Sequence, residues 1–333
     1  MMIDSREISV VMQGPVYGSS DDEKEEITKK CCARIKALLP YCELILSTWE
    51  GTDVTGIVYD KVIFNQDPGG IPMILNGVER MNNTNRMIIS TFNGIKGATR
   101  KYVAKLRTDI YLENLNFLDK FGVFPVKNQD SLVRERIVSL SANHPKRGAD
   151  IVFSVSDWFE FGYREDVLKL WDVPLQSSEK MVLKNGKADW RDNRVAESYI
   201  WPLFVEHESE YENYLKGYQG VIPVNADSIE LYEKSLAEYV VLYEGKQLGL
   251  NSLKYWNKNY VRRDFARASC YMHYEWEQLY SQYCDKAYRY NKDIKAICSV
   301  VVYQIVFGFL QKRMSVFYKK LRGLYNIKNK KRF

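Results

Sequence analysis

The sequence predicts an α/β fold, a mostly parallel sheet flanked by helices, with a helical C-terminal extension. Short apolar runs recur through the first third of the chain, most closed by a turn containing Gly or Pro. Charged stretches with helical spacing separate them. Such alternation implies parallel strands joined by crossover helices. After about residue 226 the chain is rich in Tyr, Glu and Lys at helical spacing.

The segment ISVVMQGP at 8–15 reads as a buried strand that stops at Gly14 and Pro15, and Ile27, Cys31, Ile35 and Leu38 then place a helix within 21–39. ELILSTW at 43–49 and KVIFN at 61–65 are the next strands, closed by Glu50-Gly51 and by DPGG at 67–70. A long helix is expected over 72–94. KYVAKLRTD at 101–109 is a fourth strand with Asp109 at its carboxyl end, the end at which open α/β sheets bind ligands. Residues 131–140 and 150–155 read as strands, 156–163 as an aromatic-rich segment, and 164–171 and 192–206 as helices. A soft boundary near 225 divides a domain at 1–225 from a helical extension at 226–310 that packs on it and a tail at 311–333.

Composition is that of a folded protein: 46% hydrophobic and 27% charged residues, with 9 Pro and 19 Gly, exclude collagen-like and broadly disordered classes. The net charge of +6 is unevenly placed. Nine of the 48 Lys and Arg residues lie in 311–333 with no acidic residue, so the remaining 39 face all 42 Asp and Glu. A slightly acidic body argues against a nucleic-acid partner. The tail interleaves its cations with apolar and aromatic residues, the pattern of a helix lying on an anionic bilayer; a core helix with a solvated basic end reads it as well. The N-terminus lacks the apolar stretch of a signal peptide and the six Cys show no metal-ligand spacing, so a cytoplasmic body with free thiols is expected. The longest uncharged stretch, 296–311, is shorter than the ~20 residues of a spanning helix.

No GxGxxG, GxxxxGK[ST], GxSxG or HExxH motif occurs, and His144, His207 and His273 are isolated. Carboxylate, arginine and aromatic chemistry remains. Asp109 at a strand's exit suits a hard divalent cation bound against a nucleotide diphosphate, and Lys105 or Arg107 would neutralise the same phosphates. A turn with a surface Asp in a salt bridge reads the spacing equally well. NQDPGG at 65–70 precedes Asn76, Asn83 and Arg86, on what is expected to be one helix whose N-terminus would receive phosphate or a sugar hydroxyl; a plain turn also accounts for its glycines. Asp157 beside Trp158 and Phe159 suits a saccharide, whose C–H faces stack on aromatics while its hydroxyls meet carboxylates; an aromatic core strand is the alternative. Glu197 opens an amphipathic run and is a candidate general base, or a solvated first-turn residue.

Seven pieces in order, ISVVMQGP at 8–15, LILSTW at 44–49, NQDPG at 65–69, Asn83 through Arg86 to Ser90 and Gly94, KLRTD at 105–109, SDWF at 156–159 with Gly162, and Ala196-Glu197, resemble the WavE-type lipopolysaccharide synthesis family. They span roughly residues 7–205. The resemblance implies a GT-A-like glycosyltransferase with a nucleotide-sugar donor and a lipopolysaccharide-core, O-antigen or capsule saccharide, lipid-linked or not, as acceptor. It sets Asp109 at the place of the metal-binding DxD motif, for Mn²⁺ or Mg²⁺. Tyr111 stands at the motif's third position, so one motif carboxylate is supplied and neighbouring cations would partly substitute. By position Gln13, Gly14, Pro15, Asn65 and Asp67 would border the nucleotide, with Asn83 nearby. Arg86, Lys105 and Arg107 would lie near the diphosphate or donor sugar, Trp158 and Phe159 would stack on sugar, and Asp157 or Glu197 would be the base. The basic tail would seat the protein on the cytoplasmic face of the inner membrane. A nucleotidyl- or polyol-phosphate transferase, or a non-catalytic membrane-peripheral scaffold, are the competing readings.

Overall fold

Every residue of β1 (Ile8–Gln13) is buried, as expected of a strand covered by helices on both faces. The computed structural model describes residues 3–17, 26–75, 77–142, 144–146, 151–190, 192–194, 197–218, 220–253 and 270–290, with positions 294, 297, 298 and 301. After β1 come α1 (Ile27–Leu38), β2 (Glu43–Trp49), β3 (Lys61–Asn65), a hairpin of β4 (Ile71–Leu75) and β5 (Val78–Asn82), α2 (Thr84–Lys96), β6 (Tyr102–Arg107) and β7 (Ile110–Leu112). The second half holds β8 (Ile137–Leu140), β9 (Phe159–Tyr163), α3 (Arg164–Trp171), a small hairpin of β10 (Leu183–Lys184) and β11 (Lys187–Ala188), α4 (Glu197–Val205), α5 (Ser209–Leu215) and α6 (Ala226–Tyr239). Then follow β12 (Val240–Tyr243), α7 (Gly245–Leu248), β13 (Leu250–Ser252) and α8 (His273–Tyr283).

Seven strands form the central sheet in the order β12-β8-β9-β6-β1-β2-β3. The pairs β6–β1, β1–β2, β2–β3 and β12–β8 are parallel. Only β9 runs against its neighbours, pairing antiparallel with both β6 and β8. This is the mostly parallel sheet flanked by helices that the sequence predicts, and the reversed strand shapes the site. Because β9 enters where β6 leaves, Asp157 and Trp158 arrive at the carboxyl edge of the sheet beside Arg107, whose backbone N–H donates to Trp158 O at 3.3 Å.

Three expectations change. Residues 72–94 are not one helix: the hairpin β4–β5 takes 71–82 and the helix starts at Thr84. Asn76-Gly77 is a two-residue hairpin signal between apolar runs, and Gly77 has the positive φ (+78°) that such turns use. The described part of 150–155 forms no strand; it is an irregular approach to β9. The expected boundary at 225 marks a helix start, fixed by a capping box in which Asn225 and Ser228 bond each other's backbone N–H at 2.9 Å. The sheet nevertheless crosses that boundary, since β12 beyond it pairs with β8. Arg136, buried at the start of β8, ties the same region to the body by donating to Ala237 O, Phe124 O and Val126 O at 2.6–2.7 Å. The tail at 311–333 lies outside the described residues.

α2 lies close against the sheet because Gly94 has no side chain. A Cβ there would stand 2.5 Å from Val11 Cγ1 and 3.1 Å from Ser47 Cβ. Gly94→Ala is expected to destabilise the fold: overpacking costs about 1–3 kcal/mol, more than the ~1 kcal/mol that Ala gains over Gly in a helix. Thermal and denaturant unfolding of the variant measure the balance.

Candidate active site

The carboxyl edge is built first from backbone. Gly14 leaves β1 at φ +114°, a conformation that favours glycine, and its N–H donates to Ser47 O at 3.0 Å. Thr108 bonds back to the same turn, N–H to Gln13 O at 3.1 Å and Oγ1 to Pro15 O at 2.6 Å. The exits of β1 and β6 are thereby laced together.

Arg107 is the centre of the charged cluster on this edge. Its Nε and Nη2 donate to the two oxygens of Asp109 at 3.1 and 3.0 Å, a bidentate pair, and Nη1 lies 3.7 Å from Asp157 Oδ2. The guanidinium carbon sits 5.0 Å from the centroid of the Trp158 ring. Arg107 is 20% exposed, Asp157 9%, and the Asp109 side chain not at all. Burial works against the Arg107 charge, but Asp157 and Asp109 outweigh it and hold the group above its ordinary value. Tyr17, which the sequence did not single out, acts in the same direction.

Glu197, half-buried in the first turn of α4, joins the cluster. Burial and the neighbouring Asp157 carboxylate push it up to about 8, with Arg107 pulling the other way. Two carboxylates side by side cannot both ionise cheaply, so Glu197 keeps its proton through neutral pH. Asp157 is thus held between the Arg107 guanidinium and the Glu197 carboxyl, which hydrogen-bonds it.

A second cluster stands at the exit of β3. Arg86 in α2 donates Nε and Nη2 to Asp67 at 2.7 Å each and Nη1 to Asn83 at 2.8 Å, and Asp67 also accepts from Gly69 N–H at 2.9 Å. The Arg86 hydrogen bonds hold Asp67 below the usual carboxylate range. One turn along α2, Ser90 donates to Gln13 Oε1 at 2.8 Å, and Gln13 lies opposite Arg107 in the sheet. The two clusters are thus linked through one helical turn and one strand pair.

Several expected site residues are held elsewhere. Lys105, expected at the diphosphate, is fully buried: its Nζ lies 3.1 Å from Glu160, donates to the main-chain oxygen of Asp157, and sits 4.4 Å from the centroid of the Trp171 ring. Burial pushes Glu160 up to about 7 against the pull of Lys105. Trp158 and Phe159, expected to stack on sugar, are 4% and 0% exposed, and Phe159 packs edge-on against Phe117 at 5.4 Å. Their faces belong to the core. Asn65 is buried and donates to Ser47 Oγ and Thr48 O at 3.0 and 2.8 Å while accepting from Asn93; Gln13 is likewise buried. Both brace the rim rather than border open space, which Pro15 does. The cationic pocket implied by three basic residues is charge-compensated, since Arg86, Lys105 and Arg107 each face a carboxylate.

These groups do not fit a resident divalent cation. Both oxygens of Asp109 are engaged by Arg107, its side chain has no exposed surface, and no three His, Cys, Asp or Glu side chains among the described residues come together in a way that could hold a metal. The role expected of Asp109 as a ligand is therefore taken by its hold on Arg107.

Among solved structures, the chain is similar to a Drosophila beta-1,4-galactosyltransferase 7 mutant in complex with manganese, UDP-Gal and xylobiose, at 14% identity and a TM-score of 0.24 over 49% of this chain and 51% of that one. It therefore spans about half the length of that transferase. It is also similar to the mannosyltransferase PcManGT of Pyrobaculum calidifontis in complex with GDP-Man and Mn²⁺, at 11% identity and a TM-score of 0.35 over 96% and 82% of the two chains. A cytidylyltransferase from Leptospira borgpetersenii matches at 11% identity and a TM-score of 0.32 over 92% and 98%. No curated protein sequence matches the chain. The model of the WavE lipopolysaccharide synthesis family matches residues 8–307, nearly the whole chain, and the protein belongs to that family.

Proposed function

We propose that the protein transfers a sugar from a nucleotide-sugar donor to a hydroxyl of a saccharide acceptor in lipopolysaccharide synthesis. The observation that carries this reading is Asp157: a nearly buried carboxylate 3.7 Å from the Arg107 guanidinium and beside Glu197, on the ligand-binding edge of an α/β sheet. Asp157 removes the proton of the acceptor hydroxyl as that oxygen bonds to the sugar's anomeric carbon. The bond from that carbon to the diphosphate breaks, and the nucleotide diphosphate leaves with the electron pair. Two of the five N–H donors of Arg107 hold Asp109, so the guanidinium is fixed before the charge develops. Glu197, raised to about 8 by burial and by Asp157, sets a protonated carboxyl beside the base. Arg86 is the recruitable cation. Its pair with Asp67 is partly exposed, 33% and 43%, and such pairs contribute only ~0–1 kcal/mol, so a diphosphate competes for it easily.

Asp157→Asn is expected to lower turnover at least ~100-fold with folding intact, and Arg86→Ala to weaken nucleotide-diphosphate binding with a smaller effect on turnover. A panel of nucleotide-sugar donors with product mass analysis, plus thermal-shift protection by the free nucleotide diphosphates, reads both. Normal turnover in the Asp157→Asn variant removes Asp157 from the chemistry, and an added phosphate in place of a sugar replaces the reaction class.

Glu197 also gives a pH signature. Its folded value of about 8 exceeds the ordinary 4.5, so the stability it contributes is full below pH 4.5 and is lost as pH rises through 8. Glu197→Gln, which cannot ionise, should therefore match the wild type in melting temperature at pH 4 and exceed it at pH 9. Thermal melts across that range test the sign.

The acceptor's location forms the second half of the proposal. No helix among the described residues is long and apolar enough to cross a membrane. The nine cations of 311–333 suit the anionic cytoplasmic face of the inner membrane, at up to ~1 kcal/mol for each cation near the surface. Deleting 312–333 should release the protein from anionic vesicles at low salt; sedimentation with the vesicles after deletion overturns the tail as anchor.

A further inference from the structure

We propose that the buried ion pair of Lys105 and Glu160 is a positioning device that holds Asp157 at the reacting edge. The inference rests on the glycosyl-transfer reading above and adds two residues to it. Lys105 and Glu160 face each other across the antiparallel β6–β9 ladder, with no exposed surface on either side chain. Burying two charges costs desolvation that their attraction scarcely recovers, and an apolar pair of similar volume would serve the sheet as well or better. Stability of the ladder therefore does not explain them. What an apolar pair cannot supply is the third contact: Lys105 Nζ donates to the main-chain oxygen of Asp157.

That contact falls where the chain most needs one. Residues 153–158 approach β9 outside any ladder, and Phe153 is held at φ +54°, a left-handed conformation unusual for a bulky residue. The approach is pinned from several elements at once. Tyr232 in α6 donates to Ser154 O at 2.6 Å, Ser156 N–H lies 3.4 Å from His144 Nε2, and Arg107 N–H donates to Trp158 O. Lys105 pins the residue between them. Lys105 and Arg107 lie two apart on one strand and so project from the same face, one fixing the main chain of Asp157 and the other lying 3.7 Å from its carboxylate. Glu160 supplies the counter-charge that keeps the ammonium in the core, and the Trp171 ring covers it. Neither residue touches substrate; both act through Asp157.

The test compares two double variants. Lys105→Met with Glu160→Leu removes the charges and the donor, whereas Lys105→Gln with Glu160→Gln keeps an N–H donor at position 105. The Met/Leu pair is expected to melt at or above the wild-type temperature and to retain donor KM, with kcat reduced at least ~10-fold and faster amide exchange over 152–158. The Gln/Gln pair should return kcat to within ~3-fold of wild type. Wild-type kcat and exchange in the Met/Leu variant, or equal losses in both variants, overturn the proposal. Should the Met/Leu pair not fold, Lys105→Met with Glu160→Gln, which also removes the donor and leaves no unpaired charge, takes its place: the same loss of kcat is expected, and wild-type kcat overturns the proposal. A wild-type protein that transfers no sugar from any donor defeats the reaction proposed above, and amide exchange over 152–158 then decides the positioning role by itself.

Discussion

The site depends on β9 running against both of its neighbours. In an all-parallel sheet, residues preceding a strand lie at the opposite edge from residues following one. Reversal of β9 brings Asp157 and Trp158, which precede it, to Arg107 and Asp109, which end β6 and follow it. The ladder is also where charge enters the core, because the register sets Lys105 opposite Glu160. A slip of one residue would point both side chains to the other face and leave each charge without its partner.

Arg86, Lys105 and Arg107 are each neutralised by a carboxylate, and the three pairs differ in how much they can move. Lys105 with Glu160 is sealed, Arg107 with Asp109 is largely buried and bidentate, and Arg86 with Asp67 is open to solvent. The buried pairs fix geometry, since removing one partner leaves an uncompensated charge in a low dielectric. The exposed pair is the one whose partner an incoming anion can displace at little cost. Rigidity thus increases from the rim towards the carboxylate assigned as base.

The fold was legible where period and punctuation agreed. β1, β2, β3 and α3 occupy the residues that their apolar patterns indicated, and the turns at Gly14 and at 67–70 close the strands as read. The 72–94 helix failed because apolar residues in a short hairpin also satisfy helical spacing over one or two turns, and the Asn76-Gly77 signal between them was the arbiter. The strand beyond residue 225 was hidden for another reason: VVLY at 240–243 is brief, and only its partner β8 makes it part of the sheet.

By itself the sequence determined the residue types and their order along the chain: an apolar strand ending in Lys105, Arg107 and Asp109, an aromatic strand preceded by Asp157, a glutamate opening a helix, and a family resemblance that the family model bears out over residues 8–307. Tertiary structure decided which of these face solvent. Lys105, Trp158 and Phe159 carry the chemistry of phosphate and sugar binding, yet they are buried, because strand alternation says only that residues share a face and not whether that face is covered. It also decided pairing. Asp109 looked like a metal ligand at a strand exit until Arg107, two residues before it, turned both of its guanidinium edge donors onto the carboxylate. The cover over Lys105 and the approach of Arg107 to Asp157 come from a segment about fifty residues along the chain, and local sequence carries no record of them.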